Sequence, residues 1–145
     1  MVGSYAGLER YYVLLQTKAH ELKLKNVFFA GSVRQPELNA YYKSADVFLC
    51  MSEHEGFCIP LLESMAHDVP IVAYAAGAVP ETLDGSGILF DEKRFDLVAE
   101  MMGRVVNDRA LRSSIIQSQR ARLQRYAARN LEEELRRHLT GLLTK

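Results

Sequence analysis

The sequence predicts an α/β protein built on a doubly wound, Rossmann-like parallel sheet, with extra helices at its C-terminal end. Two observations predict this class. Short apolar runs alternate with segments in which apolar residues recur every three or four positions, and after residue 90 only the second pattern continues. Fully apolar strands separated by helices are typical of a parallel sheet that is covered on both faces.

The predicted elements begin with a helix over residues 8–22, where apolar residues keep helical spacing. Asn26 ends this helix, and the run VFFAG at 27–31 predicts a buried strand. The remaining predictions are a helix at 36–44, a strand at 47–51, a helix at 60–67, a strand at 70–74, a turn or short helix at 80–83, a strand at 88–90, and helices over 95–106, 111–126 and 131–142. Residues 1–108 are therefore assigned to the Rossmann-like domain and residues 109–145 to C-terminal helices.

Composition excludes several classes of protein. The 145 residues carry 18 Lys/Arg and 18 Asp/Glu, so the net charge is zero and no nucleic-acid partner is indicated. The balance hides an asymmetry, because residues 1–90 hold 6 basic and 10 acidic residues whereas residues 91–145 hold 12 and 8. The longest apolar stretch, 69–80, is about half of the ~20 residues that a membrane span needs. No signal peptide is visible, and we expect a cytoplasmic protein.

Two cysteines, Cys50 and Cys58, are too few for a disulfide framework or a four-ligand zinc site. Cys50 is predicted to be a buried thiol in a strand, and Cys58 to be partly exposed. His54 lies between two glutamates, but no second His or Cys stands at ligand spacing from it. We therefore expect no metal and no cofactor.

The loop after the strand at 47–51 is the candidate site, because ligands of such folds bind at the carboxyl ends of strands and at helix N-termini. Pro60 suits a first helical position, which leaves the amides of Leu61, Leu62 and Glu63 without intrahelical partners. Glu55 in the loop and Glu63 in the first helical turn flank this helix start. Acidic residues are favoured there for structural reasons alone. Carboxylates beside free amides also suit a ligand with both hydroxyls and phosphates, such as a nucleotide-sugar.

The segment SEHEGFCIPLLESMAHDVPIVA at 52–73 resembles the signature of the retaining GT-B glycosyltransferases of the group 1 type, also called family four. That pattern is Ser-x-x-Glu-Gly-Phe-Gly, four residues, Glu-Ala-Met-Ala, and a Gly-x-Pro-Val strand. The spacing of its two glutamates is met by Glu55 and Glu63. Further landmarks lie on either side, and the resemblance covers about residues 2–106.

The resemblance implies the donor-binding, C-terminal half of an enzyme that transfers a sugar from a nucleotide-diphosphate sugar to a hydroxyl. Glu63 matches the glutamate that holds the ribose hydroxyls, and Glu55 matches the catalytic-site glutamate that contacts the transferred sugar. The other implied contacts are main-chain groups of Gly56, Phe57, Cys58 and Ile59 along the sugar, the amides of Leu61 and Leu62 at the diphosphate, and Val33 and Arg34 at the base.

The sequence departs from the family pattern in several ways, and one of them is His67-Asp68 where the pattern has a glycine. Cys58 stands where the pattern has its second glycine, so a left-handed backbone is less expected there. The Arg/Lys pair that neutralises the diphosphate and the N-terminal, acceptor-binding domain are expected upstream of Val2, so we expect the chain to be an inactive fragment. The resemblance also allows peripheral membrane association of the intact enzyme with its glycan, lipid or metabolite acceptor.

Two other functions stay open at the level of sequence, namely a GT-B-fold nucleotide-sugar epimerase and a non-catalytic nucleotide-sugar-binding or scaffolding module. The C-terminal helices supply no further site. The basic run Arg120, Arg122, Arg125 and Arg129 is assigned to a solvated helix face, because nucleic-acid binding also requires a docking motif. The leucines at 131, 135, 139 and 142 form a stripe that we expect to be exposed, folded back or used for association.

Overall fold

The structure, a computed structural model, describes residues 1–143 and forms seven helices and three strands within them. Contacts divide the chain into one unit at Met1–Ser44 and a second unit from Ala45 onward. The elements are α1 Glu9–Glu21, α2 Gln35–Ser44, β1 Phe48–Cys50, α3 Ile59–Ala66, β2 Ile71–Tyr74, α4 Val79–Leu83, β3 Ile88–Phe90, α5 Phe95–Asn107, α6 Arg109–Ala127 and α7 Leu131–Leu143.

The second unit is organised around a parallel sheet with strand order β1-β2-β3. The register pairs Leu49 with Val72 and Ala73 with Leu89. Parallel neighbours need a crossover connection, and α3 and α4 supply the two crossovers. The predicted α/β class and its parallel sheet are therefore confirmed.

Both faces of this sheet are covered, because successive side chains of β2 point to opposite sides. Ile71 and Ala73 belong to one buried cluster with residues of α3 and α4, whereas Val72 belongs to another with residues of α5 and α6. The first cluster contains Cys50, Cys58, Leu61, Met65, Val79 and Leu83, and the second contains Phe90, Val98, Val105 and Ile115. The sheet is thus wound with helices on both sides, as the apolar strands predict.

Helix α6 is held on the sheet unit by polar residues. The prediction that its arginines face solvent is wrong for Arg122 and holds for Arg120, which is 63% exposed. Arg120 donates to both carboxylate oxygens of Asp68 at 2.7 and 2.6 Å. Arg122, only 16% exposed, donates to the carbonyls of Thr82 and Glu81 and to Asp84. These partners lie about 40 or more positions away in the chain, so local sequence patterns do not reveal them.

Helix α7 leaves Leu131, Leu135 and Leu139 exposed. Leu142, the fourth residue of the predicted stripe, lies among the residues whose side chains are not described. Within residues 1–143, every helix is too short or too polar to span a bilayer.

In the first unit, the strand predicted at 27–31 does not form. Only one isolated parallel bridge joins Val2 to Gly31, with hydrogen bonds from the Gly3 and Ala30 amides to the carbonyls of Gly31 and Met1. Three residues offer too few ladder bonds for a regular strand. Helices α1 and α2 form as predicted, but no residue of α1 is fully buried.

Candidate functional site

The predicted site loop, residues 51–58, connects the end of β1 to the start of α3. Its position is the carboxyl edge of a parallel sheet, where loops and helix N-termini converge on ligands. Glu55 is half-buried in this loop, whereas Gly56, Phe57 and Ile59 are exposed. The loop therefore offers one partly buried carboxylate and an accessible main chain.

Cys58 has a left-handed backbone, with φ 62° and ψ 67°, and precedes the first residue of α3. This finding corrects two expectations, because the side chain is also buried rather than partly exposed, at 5% relative exposure. A left-handed residue with a Cβ costs roughly 1–2 kcal/mol. Burial of the thiol in the cluster that contains Cys50 and Leu61 offsets part of this cost.

The start of α3 at Ile59 changes which amides are available to an anion. The Leu61 amide is not free as predicted, because it donates to the Cys58 carbonyl at 3.0 Å. By the i to i−4 pattern, the Glu63 amide reaches the carbonyl of Ile59 within the helix. The N–H groups of Cys58 and Ile59 precede the first helical bond and suit an anionic ligand, and the role of the Leu62 amide stays a prediction.

Glu63 is the fifth residue of α3, so it lies in the second turn rather than the first. Its side chain is half-buried, on the same short helix whose Leu61 is fully buried in the core. The general preference for acidic residues in the first turn therefore does not explain Glu63. A binding role for this carboxylate stays a prediction.

A second loop, which holds Gly77 and Ala78, fixes the main chain of the site loop. The Ala78 amide donates to the Glu55 carbonyl at 3.0 Å, and Gly77 packs directly on the Glu55 backbone. The Thr82 hydroxyl donates to the Phe57 carbonyl at 2.8 Å. The Phe57 ring meets Tyr126 of α6 edge to face, with the ring centres 5.7 Å apart. The loop at residues 77–78, helix α4 and helix α6 therefore hold residues 55–57 of the site loop in place.

Lys93 is a cation at the same edge of the sheet, and no local sequence pattern indicates its role. Its ammonium group donates to Glu53 at 2.5 Å and to the Met51 carbonyl at 3.4 Å, and it lies 4.7 Å from the centre of the Tyr74 ring. The hydrogen bond and charge of Lys93 hold the pKa of Glu53 below its usual value. Lys93 thus places a positive charge next to the loop that carries Glu55.

Val33 and Arg34, predicted to contact the base of a nucleotide, belong to the first unit. Arg34 is exposed and donates to Glu37 through both its backbone N–H, at 2.9 Å, and its guanidinium, at 3.0 Å. These bonds hold the pKa of Glu37 below its usual value. The role of Val33 and Arg34 at the base stays a prediction.

His54 is exposed, and two cysteines and a glutamate form a separate group of possible ligand atoms. The Sγ atoms of Cys50 and Cys58 lie 3.9 Å apart, and a Glu55 carboxylate oxygen completes a group within 4.8 Å. Burial, together with the nearby Cys50 and Glu55, raises the pKa of Cys58 to about 12. The thiol of Cys58 is therefore protonated and a poor nucleophile at neutral pH.

Comparison with known proteins, together with this geometry, identifies the family of the chain. The chain belongs to the family of group 1 glycosyl transferases, whose model matches residues 2–122. It is 33% identical, over 109 residues, to a GDP-mannose-dependent alpha-(1-6)-phosphatidylinositol monomannoside mannosyltransferase of Mycobacterium tuberculosis. That match covers 68% of this chain and 28% of the relative. The chain spans 22–32% of the length of this and other curated relatives.

Solved structures agree with the fold. The C-terminal domain of a glycosyl transferase group 1 family protein from Francisella tularensis matches with a TM-score of 0.63 and 28% identity, covering 79% of this chain and 61% of that one. The Anabaena HepE protein in complex with UDP-glucose matches with a TM-score of 0.80 and 23% identity, covering 97% of this chain and 40% of that one. The fold is that of the C-terminal half of GT-B glycosyltransferases.

Proposed function

We propose that the chain is the donor-binding part of a retaining hexosyltransferase, which uses a nucleotide-diphosphate sugar and an acceptor hydroxyl. One observation carries the proposal. In a member of the group 1 family, Glu55 and Glu63 bracket the start of α3 at the carboxyl edge of a parallel sheet. The solved complex of a structural neighbour with UDP-glucose supports a nucleotide-sugar as the ligand.

The chemistry of the site suits both ends of such a donor. The Cys58 and Ile59 amides and the positive end of the α3 dipole favour a diphosphate. Carboxylates accept hydrogen bonds from hydroxyls, so Glu63 binds the ribose and Glu55 the transferred sugar. Gly56 leaves the main chain open on this side, since a Cβ there would meet no atom within 4 Å.

The contribution of this chain to catalysis is positioning. In front-side attack with retention, the leaving diphosphate assists deprotonation of the acceptor, and the protein orients the sugar and stabilises charge. The loop that carries Glu55 is pinned by Ala78, Thr82 and Gly77, which suits this task. We propose that the acceptor site and the Arg/Lys pair for the diphosphate lie in parts of the whole protein outside these 145 residues, and that this chain alone does not turn over donor.

The test uses the whole protein with UDP-, GDP- and ADP-sugars, with and without acceptor hydroxyls. We expect transfer with retained anomeric configuration, read from the NMR coupling of the product. Glu55→Gln lowers kcat/KM by at least about a hundredfold, whereas Glu53→Gln, two residues away in the same loop, costs less than about tenfold. An inverted product contradicts retention. A donor epimerised without acceptor favours the epimerase, and no reaction with any donor favours the binding module.

A further inference from the structure

Cys50 and Cys58 form a thiol pair that the proposed function does not use. Cys50 ends β1, and Cys58 turns the chain into α3, so the two side chains meet in the core directly under the site loop. Their Sγ atoms are 3.9 Å apart and both residues are buried. A carboxylate oxygen of the half-buried Glu55 lies within 4.8 Å of both sulfur atoms.

These distances fit the edges of a tetrahedral metal site. Zinc binds thiolate sulfur at about 2.3 Å, which separates two sulfur ligands by about 3.8 Å, close to the distance between Cys50 and Cys58. A sulfur and a carboxylate oxygen on the same ion are separated by about 3.5 Å. The Glu55 oxygen lies within 4.8 Å of both sulfur atoms, so the remaining approach requires only rotation about its side-chain bonds.

We propose that Cys50, Cys58 and Glu55 form a three-ligand site for a thiophilic divalent cation of the Zn²⁺ class, with a fourth position open to water. Thiolates select such ions over Mg²⁺ or Ca²⁺, which take oxygen ligands. The carboxylate of Glu55 attracts the cation, and each thiol releases its proton to solvent as its sulfur binds. The ion enters from the Glu55 side, where the loop is open beside the exposed Gly56.

A metal ion bound at this site would occupy the Glu55 carboxylate, so that Glu55 could no longer bind the sugar of the donor. That consequence rests on the proposed function, because it needs Glu55 to contact the donor. The metal site itself rests on the three ligand atoms, so a chain that binds no nucleotide could still bind the ion. The two proposals therefore fail in different experiments.

The test titrates the reduced chain with Zn²⁺ in a calorimeter and with Co²⁺ in a spectrophotometer, with a phosphine reductant present. We expect one ion per chain, and with Co²⁺ a thiolate-to-metal charge-transfer band together with the visible bands of tetrahedral coordination. Cys58→Gly and Glu55→Gln each weaken binding at least about tenfold. His54→Ala, which removes the nearby exposed imidazole, leaves affinity unchanged. Circular dichroism confirms that each variant is folded.

Three results would overturn the proposal. The first is Co²⁺ binding without a charge-transfer band, and the second is Zn²⁺ binding to Cys58→Gly as tight as to the unsubstituted chain. The third is loss of binding in His54→Ala, which would place the ion on the surface. Glu55→Gln keeps both thiols and changes a half-buried side chain of a loop outside the core, so it tests the site even where Cys58→Gly fails to fold.

Discussion

Gly77 lies so close to Glu55 that a Cβ at position 77 would stand 2.5 Å from the Glu55 carbonyl oxygen and 2.9 Å from its amide nitrogen. The backbone of Gly77 is also left-handed, with φ +55°. The next residue, Ala78, donates its amide to the same carbonyl. The loop after β2 thus fixes the position of the Glu55 backbone.

Gly77→Ala is therefore expected to displace the Glu55 loop. The added Cβ meets backbone rather than a flexible side chain, and φ is unfavourable, so the free energy of unfolding falls by roughly 1–3 kcal/mol. Urea unfolding measures the change. Gly56→Ala is the matched control, since its Cβ would meet nothing within 4 Å, and we expect much less destabilisation. Equal losses in both variants would show that the close approach of Gly77 is unimportant.

The left-handed backbone of Cys58 gives a second prediction from a pair of variants. Cys58→Ala loses the buried sulfur and keeps the strain, whereas Cys58→Gly loses the sulfur and relieves the strain. We expect Cys58→Gly to be the more stable of the two by roughly 1 kcal/mol, although glycine normally destabilises ordered backbone. Chemical denaturation compares them. An alanine variant more stable than the glycine variant would contradict the left-handed conformation.

Arg122 fastens α6 to α4, and its removal is expected to be costly. It donates to two main-chain carbonyls and Asp84, and its guanidinium stacks 4.4 Å from the centre of the Tyr126 ring. Arg122→Met leaves the two main-chain carbonyls without a charged donor, while Asp84 keeps Arg125 at 3.3 Å, and lowers the free energy of unfolding by roughly 1.5–3 kcal/mol. Arg104→Met, at an exposed site on α5, changes it by less than about 0.5 kcal/mol. Similar losses at both positions would refute the anchoring role.

The pair of Asp68 and Arg120 predicts a pH dependence. Hydrogen bonding from Arg120 holds the pKa of Asp68 below its usual value of about 3.9. Because the folded pKa is the lower one, the pair stabilises the fold fully above about pH 3.9 and loses this effect as pH falls through the folded pKa. Asp68→Asn tolerates the left-handed backbone of residue 68 and removes only the charge.

The expected difference in unfolding free energy between Asp68→Asn and the unsubstituted chain is present at pH 7. It shrinks in acid below about pH 3.9, and it is small throughout because the pair is largely exposed. Urea unfolding at pH 7, 5 and 3 measures it. A difference that is as large at pH 3 as at pH 7 would contradict the linkage.

Residue patterns predict elements whose signals are local. The strands at 48–50, 71–74 and 88–90 and the helices between them follow from apolar periodicity and flanking Pro or Gly. The run at 27–31 carries the same signal but pairs only with three residues, and pairing is not a local property. The position of Glu55 in a loop is also predictable, because β1 and α3 on either side of it have local sequence signals.

Other features depend on contacts that the sequence does not display. Cys58 adopts a conformation typical of glycine because its thiol is buried beside Cys50, so tertiary packing overrides local preference. In the sequence, Arg122 is indistinguishable from the neighbouring surface arginines. Only the structure shows its partners at residues 81–84. The position of Lys93 beside the site loop likewise depends on its ion pair with Glu53, which is 40 positions away in the chain.

Binding of a nucleoside diphosphate to this chain tests the central claim most directly. We would titrate ¹⁵N-labelled chain with UDP, GDP and ADP and follow backbone amide shifts. The account predicts millimolar or tighter binding of one of them, with the largest shifts at Cys58 and Ile59, weakened at least about fivefold by Glu63→Ala and unchanged by Glu100→Ala on the far helix α5. Absence of shifts at the start of α3 with all three nucleotides would contradict it.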